Sequence, residues 1–296
     1  MHPALSVILF STLSGLGFGT FIWAGAGRVP DVVLVPLVLV AFALSVAGLM
    51  ASTFHLGHPE RAWRALSQWR SSWLSREGIA AILTLGLAAL WWLSGFPLVT
   101  GMLVSGGALF TVFTTSMIYA QMRSVQTWHT PLTPLAYLLF SLAGGGIVCA
   151  LVVSLEAPVS RVDVFASGLL LVLAWSVKAN WWRRADGNIE VSTPVTATGL
   201  GQPGEVRLLE SPHSGGNYLL SEMGFQIGRK HQRALRRIAL VAGGAVPLLM
   251  LAIAAQFELL STVALGLALL SHTIGILAER WLFFAEARHA VMNYYQ

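Results

Sequence analysis

Charge is scarce in this sequence. Of its 296 residues only 10% are Asp, Glu, Lys or Arg, whereas 55% are hydrophobic. Soluble domains carry roughly a quarter charged residues, so a water-soluble chain of this length would lack the charge to cover its surface. Cysteine is scarcer still. Cys149 stands alone, which excludes a disulfide within the chain. By itself the chain cannot hold an iron–sulfur cluster or a thiolate zinc site either. Set in an apolar run, Cys149 reads as a small hydrophobe. The N-terminus lacks the Lys/Arg cluster of a secretory signal, and its apolar stretch runs too long and ends in no small-residue cleavage site. It reads as a first membrane helix. No internal repeat is evident, which disfavours transporters built from inverted halves.

What the sequence has is long apolar runs, with a mean hydropathy of +0.70. A helix needs about 20 apolar residues, at about 1.5 Å each, to cross the hydrocarbon core. Runs of that kind predict spans at 3–24, 32–54, 77–94, 98–120, 134–153, 162–177, 238–255 and 259–280. The predicted fold is an all-α integral membrane protein, a single bundle of about eight transmembrane helices over 1–296, with a long extramembrane loop at 180–237. Glycines recur within the spans, at Gly15, Gly17 and Gly19, at Gly144–Gly146 and at Gly243 and Gly244. They suit close helix packing.

The basic residues orient the bundle. With the N-terminus on side A, that side receives Arg61, Arg64, Arg70, Arg76 and Arg123, nine Lys and Arg between 178 and 237, and Arg280 and Arg288. Of the 18 Lys and Arg, only Arg28 and Arg161 fall on side B. The positive-inside rule then places side A, with both termini, in the cytoplasm.

Two stretches suggest chemistry. In the second connection, 55–62, His55 sits where a span ends. Pro59 suits the first turn of a new helix with His58 as its cap, and 60–69 would lie along the interface with Trp63, Leu66 and Trp69 toward lipid. His55 reads either as an interfacial histidine bonded to a carbonyl, or as a proton-handling group beside a lipid-soluble redox carrier. Glu77 opens the third span. It reads either as a helix-start carboxylate paired with Arg76 or as a partly buried proton carrier. Trp128 and His129, among prolines in the fourth connection, are interface anchors or parts of the same pocket. His272 is the histidine nearest mid-span, and no axial partner for a haem is evident. The segment 199–204 formally matches G-x-G-x-x-G but lacks a preceding strand, so a dinucleotide site is not expected. The basic run 229–237 can touch anionic lipid or a partner subunit.

The residues resemble a known family. His55-Leu56-Gly57 with Pro59 and Arg61-Ala62, Glu77 within 75–79, and the stretches 125–134 and 279–295 resemble the DmsC family, the membrane anchor subunits of DMSO-reductase-type molybdoenzymes. The resemblance covers essentially the whole chain. It implies an anchor that binds a quinone (ubiquinone or menaquinone), without haem or metal of its own. It also implies docking to an iron–sulfur subunit that connects to a molybdopterin catalytic subunit, in a bacterial cytoplasmic membrane. The family's quinol-binding histidine and glutamate carry over to His55 and Glu77, with His58, Arg61 and Arg64 beside them. The opening 1–19 looks closer to a sister group resembling sulfite dehydrogenase anchors, which favours sulfite oxidation over DMSO-type reduction. Membrane lipid is an expected partner and nucleic acid is not. Two other classes stand beside this reading: a proton-coupled small-solute transporter and a haem-bearing cytochrome subunit.

Overall fold

The computed structural model describes residues 3–54, 58–187, 199, 210, 227–287 and 289–290. His55, Leu56, Gly57 and Arg288 lie outside the described residues, as does most of the connection 188–226, including all of the G-x-G-x-x-G segment except Gly199. Among the described residues the secondary structure is helical. The helices are α1 (Leu5–Gly25), α2 (Leu34–Thr53), α3 (Trp73–Leu93), α4 (Leu98–Ala120), α5 (Leu132–Val153), α6 (Arg161–Asp186), α7 (Ile227–Leu240), α8 (Val246–Gln256) and α9 (Ser261–Ala285). A π-helical stretch, Val241–Ala245, joins α7 to α8 without a break, so the two form one crossing. Eight helical segments are long and apolar enough to cross a membrane, as the apolar runs predict.

Local chemistry sets where these helices begin and turn. Pro97 and Pro131 stand immediately before α4 and α5, where a missing N–H costs nothing. The α3–α4 turn needs two left-handed residues, Gly95 (φ 78°) and Phe96 (φ 62°). Phe96 is held there by an edge-on contact with Trp91, 5.0 Å between ring centroids. Three helices differ from the apolar runs that predict them. α3 starts at Trp73 rather than 77, because the Ser72 hydroxyl caps it by accepting from the Ser75 N–H at 3.4 Å. α6 continues to Asp186 and α9 to Ala285. In both, the charges that end the apolar run in sequence are paired inside the protein, and a neutralised charge does not end a helix.

α1 and α5 are the most enclosed crossings. α1 packs against α2, α4, α5 and α9. Lipid tails are as apolar as leucine, so packing in this solvent rests on close backbone approach rather than on hydrophobic burial. A Cβ on Gly145 of α5 would sit 2.6 Å from the Thr20 nitrogen of α1, and one on Gly17 would sit 2.8 Å from the Ala41 carbonyl oxygen of α2. Gly25 and Gly101, and Gly243 and Gly275, meet in the same way. Large apolar side chains such as Leu83, Val99 and Phe165 point outward, as lipid contact allows.

The helix ends pair with one another in agreement with an alternating, even-numbered path. On side B, Arg28 after α1 meets Asp163 at the start of α6 at 2.6 Å, and the Thr262 hydroxyl donates to the Ser154 carbonyl. On side A, Arg236 of α7 bonds Asp186 at the end of α6 (2.6 Å) and Glu286 just after α9 (2.8 Å). There too, an isolated bridge joins Val125 to His289. Because α1 and α5 touch backbone to backbone, Gly145→Leu is expected to destabilise the bundle by about 1–3 kcal/mol or more. Thermal unfolding in detergent should show it, whereas Gly106→Leu, at a glycine with open space around it, should unfold near the wild-type temperature.

Candidate functional site

Charge buried inside the bundle marks one region near side A. Lys178 of α6 and Glu279 of α9 are both about 1% exposed and meet at 2.6 Å. Arg280 approaches the other Glu279 oxygen at 3.3 Å. Two cations thus share one carboxylate in a low-dielectric setting, where each charge requires compensation. Aromatic faces supply some of it. Lys178 Nζ lies 3.8 Å from the centre of the Trp181 ring, and the Arg280 guanidinium 3.6 Å from that of Tyr137.

Around these charges stands an aromatic cluster drawn from four helices and a loop. Trp128 stacks on Phe283 (5.2 Å, 12°) and its indole N–H donates to the Phe283 carbonyl at 2.9 Å. Tyr119 of α4 stacks on Tyr137 of α5 and takes edge-on contacts with Trp128, Phe283 and Phe284. The Trp181 indole N–H donates to the Thr133 hydroxyl, which donates to the Trp128 carbonyl. Trp128 is therefore a buried member of this cluster and not an anchor at the interface. A larger cavity, about 240 Å³, opens elsewhere, toward side B between α1, α5 and α6, beside Cys149 and the Arg28–Asp163 pair.

Glu77 lies more than one turn inside α3, on its α4-facing side, and is 5% exposed. Among the described residues no group bonds its Oε1. The helix-start pairing with Arg76 does not form. Arg76 instead donates to the Trp69 and Arg70 carbonyls at 2.9 and 2.7 Å and stacks on Trp73, because the early start of α3 turns it toward the preceding connection. Glu77 is close enough to Tyr119 to interact with it electrostatically, as are Tyr137 and Arg280. Tyr119, Tyr137, Arg280, Glu279 and Lys178 thus form one connected series beneath side A, with Glu77 within electrostatic range of its Tyr119 end.

The other expected site residues divide. Pro59–Gln68 is a run of 3-10 turns rather than an α-helix, and His58 makes no cap bond. The His58 ring faces Glu60 at 3.1 Å, Arg61 lies 3.6 Å from the same carboxylate, and Arg64 covers Trp63. All are exposed. Trp63 and Trp69 point outward, whereas Leu66 turns inward against Gly78 of α3. This basic segment therefore lies against α3 at Gly78, the residue next to Glu77. His129 is exposed, and its Nδ1 donates to the Ala120 carbonyl at 2.7 Å, closing the end of α4 rather than joining the buried series. His55 lies outside the described residues. Lys178, Glu279, Arg280, Tyr119 and Tyr137 are absent from the sequence-based site. The signal for them is that apolar residues resume after each charge: Trp181 and Trp182 after Lys178, and 281–285 after Glu279 and Arg280.

Comparison with known proteins identifies the family. Residues 1–285 match the family described as DMSO reductase anchor subunit (DmsC). The chain belongs to the DmsC family. It is a multi-pass membrane anchor subunit, as the sequence resemblance implies. A sulfite dehydrogenase subunit from Allochromatium vinosum is 34% identical over 328 aligned positions, spanning 100% of this chain and 99% of the relative. Anaerobic dimethyl sulfoxide reductase chain YnfH from Escherichia coli K12 is 35% identical over 112 residues, which cover 35% of this chain and 39% of that one. No solved structure matches.

Removing one member of a buried ion pair leaves the other uncompensated, at about 3–5 kcal/mol. Glu279→Leu, which strands both Lys178 and Arg280, is therefore expected to lower the unfolding temperature of this DmsC-family anchor sharply, and Lys178→Met, which leaves Glu279 its contact with Arg280, to lower it less. The double variant should lose much less than the sum, which a double-mutant cycle in detergent measures.

Proposed function

We propose that this chain is the quinone-reactive anchor of a molybdopterin oxidoreductase complex, exchanging electrons between the quinone pool and an iron–sulfur partner subunit. The observation that carries the reading is Glu77: a buried carboxylate, unbonded among the described residues, near the side-A face of a DmsC-family chain. Reducing a quinone takes up two protons with two electrons, and oxidising a quinol releases both. Glu77 Oε1 can hold or move one of those protons at the membrane face. His55, at the end of the preceding span, is the second proton-handling group in this reading, with His58, Arg61 and Arg64 in the basic segment over α3. Lys178 and Arg280 share the Glu279 carboxylate, so that group carries one positive charge in excess on the same side of the bundle as Glu77. Trp128 and Trp181 rigidify its wall, and side A faces the cytoplasm of a bacterial cell.

The full-length likeness to a sulfite dehydrogenase subunit, against a partial one to a DMSO reductase chain, supports sulfite oxidation as the partner's reaction. Sulfite and water then yield sulfate, two protons and two electrons, and the electrons pass through the iron–sulfur subunit to quinone, which takes up two protons to become quinol. Removing the proton carrier should abolish that last step alone. Glu77→Gln is expected to lower quinone-linked turnover of the purified complex by roughly two orders of magnitude or more, with sulfite-driven reduction of a soluble dye unchanged. Quinone-linked rates equal to wild type would exclude Glu77 from the site. Gentle purification through a tag on this chain should bring iron and molybdenum with it by metal analysis, and recovery of the chain alone would overturn the complex.

A further inference from the structure

Three buried polar atoms on two helices face a second, smaller cavity deeper in the bundle. Between α1, α5 and α9 it is lined by Ser11, Thr12, Ser141, His272, Thr273 and Arg280, with apolar Leu16, Phe140 and Ile276 closing it. Among the described residues, nothing bonds Thr12 Oγ1, His272 Nε2 or Arg280 Nε, and all three residues are about 2% exposed or less. An unbonded polar atom in such a place costs about 1–3 kcal/mol. Three converging on one space point to a polar ligand. The space open to the centre of a water is about 10 Å³, which is near the minimum that one water needs.

The donors and acceptors are complementary. His272 Nδ1 lies 3.2 Å from the Gly243 carbonyl. A carbonyl only accepts, so Nδ1 carries the proton and Nε2 presents a lone pair to the cavity. The π-helical stretch sets this geometry. Its offset turn frees the Ala242 and Gly243 carbonyls to accept from Ser271 (2.7 Å) and Trp175 (2.9 Å) as well as from His272. Gly243 packs on Gly275, which brings α9 close enough for these bonds. On the opposite side of the requirement, Arg280 Nε–H is a donor, and the Thr12 hydroxyl can donate or accept. Water satisfies such a set, since it donates to the imidazole and accepts from the others.

We propose that this cavity is an internal water site. The bound water donates to His272 Nε2 and accepts from the groups across the cavity, Thr12 Oγ1 and Arg280 Nε. It extends the Lys178–Glu279–Arg280 cluster from beneath side A to the middle of α9. The site does not require the quinone reading, although Arg280 enters both.

X-ray radiolytic labelling of the detergent-purified full chain tests it, since hydroxyl radicals formed from bound water modify side chains that bulk solvent does not reach. Phe140 and Ile276, beside the cavity, are expected to be labelled in the wild type despite their burial. Thr12→Val and His272→Leu should each reduce that labelling several-fold while exposed His58, outside the crossings, is labelled as before. No labelling of Phe140 and Ile276 in the wild type, or equal labelling in the folded variants, overturns the proposal. A density map of the protein near 2 Å resolution gives a second measure. A water peak within hydrogen-bonding distance of His272 Nε2 is expected, and a dry cavity would refute it independently of whether the variants fold.

Discussion

The contact between Lys178 and Glu279 organises the side-A half of the bundle. Neither side chain could be buried alone, because an isolated charge in an apolar interior is too costly to keep. Together, with Arg280, they link α6 to α9 through their side chains, and the Trp181 and Tyr137 rings close over the cations. The pair accounts for helices that continue beyond their apolar runs, and for the packing of Trp128, Phe283 and Tyr119 on one side of the charges. A second ionic group, Arg236 with Asp186 and Glu286, repeats the arrangement closer to the surface and adds α7 to it.

Elsewhere the bundle depends on the absence of side chains. α1 meets α2, α4 and α5 through Gly17, Gly25 and Gly19 with Gly145, since dispersion between closely approached backbones replaces the hydrophobic driving force that lipid cannot supply. The π-helical stretch in the seventh crossing belongs to the same economy of space. It presents two carbonyls sideways to Ser271, His272 and Trp175 and so defines the state of an imidazole in mid-membrane. The glycines permit the approach, and the polar groups specify which helices make it.

Function, in this reading, occupies the edge of the charged cluster rather than its centre. The ion pairs hold opposite charges at fixed partners, which suits an electrostatic setting. Glu77 makes no bond to Arg76, and no group among the described residues bonds its Oε1. A basic, tryptophan-bearing segment lies above it. A proton carrier is useful where it can change partners, and a structural ion pair is useful where it cannot.

Composition and pattern alone determined that the chain is an eight-crossing α-helical membrane protein, because the length of an apolar run and the sidedness of Lys and Arg are properties of the chain and the bilayer together. They also singled out Glu77, since a carboxylate at the head of an apolar run is conspicuous in one dimension, and the motifs around it carried the resemblance to DmsC. They could not show that Lys178, Glu279 and Arg280 are buried together. Lys178 stands about a hundred positions from Glu279 and Arg280, and in a linear reading each charge simply ends a span. Nor could they show that Arg76 turns away from Glu77, that Trp128 is interior, or that His272 shares a cavity with Thr12. Each of these depends on which helices become neighbours, and that is decided by where glycines let backbones touch and where opposite charges must meet.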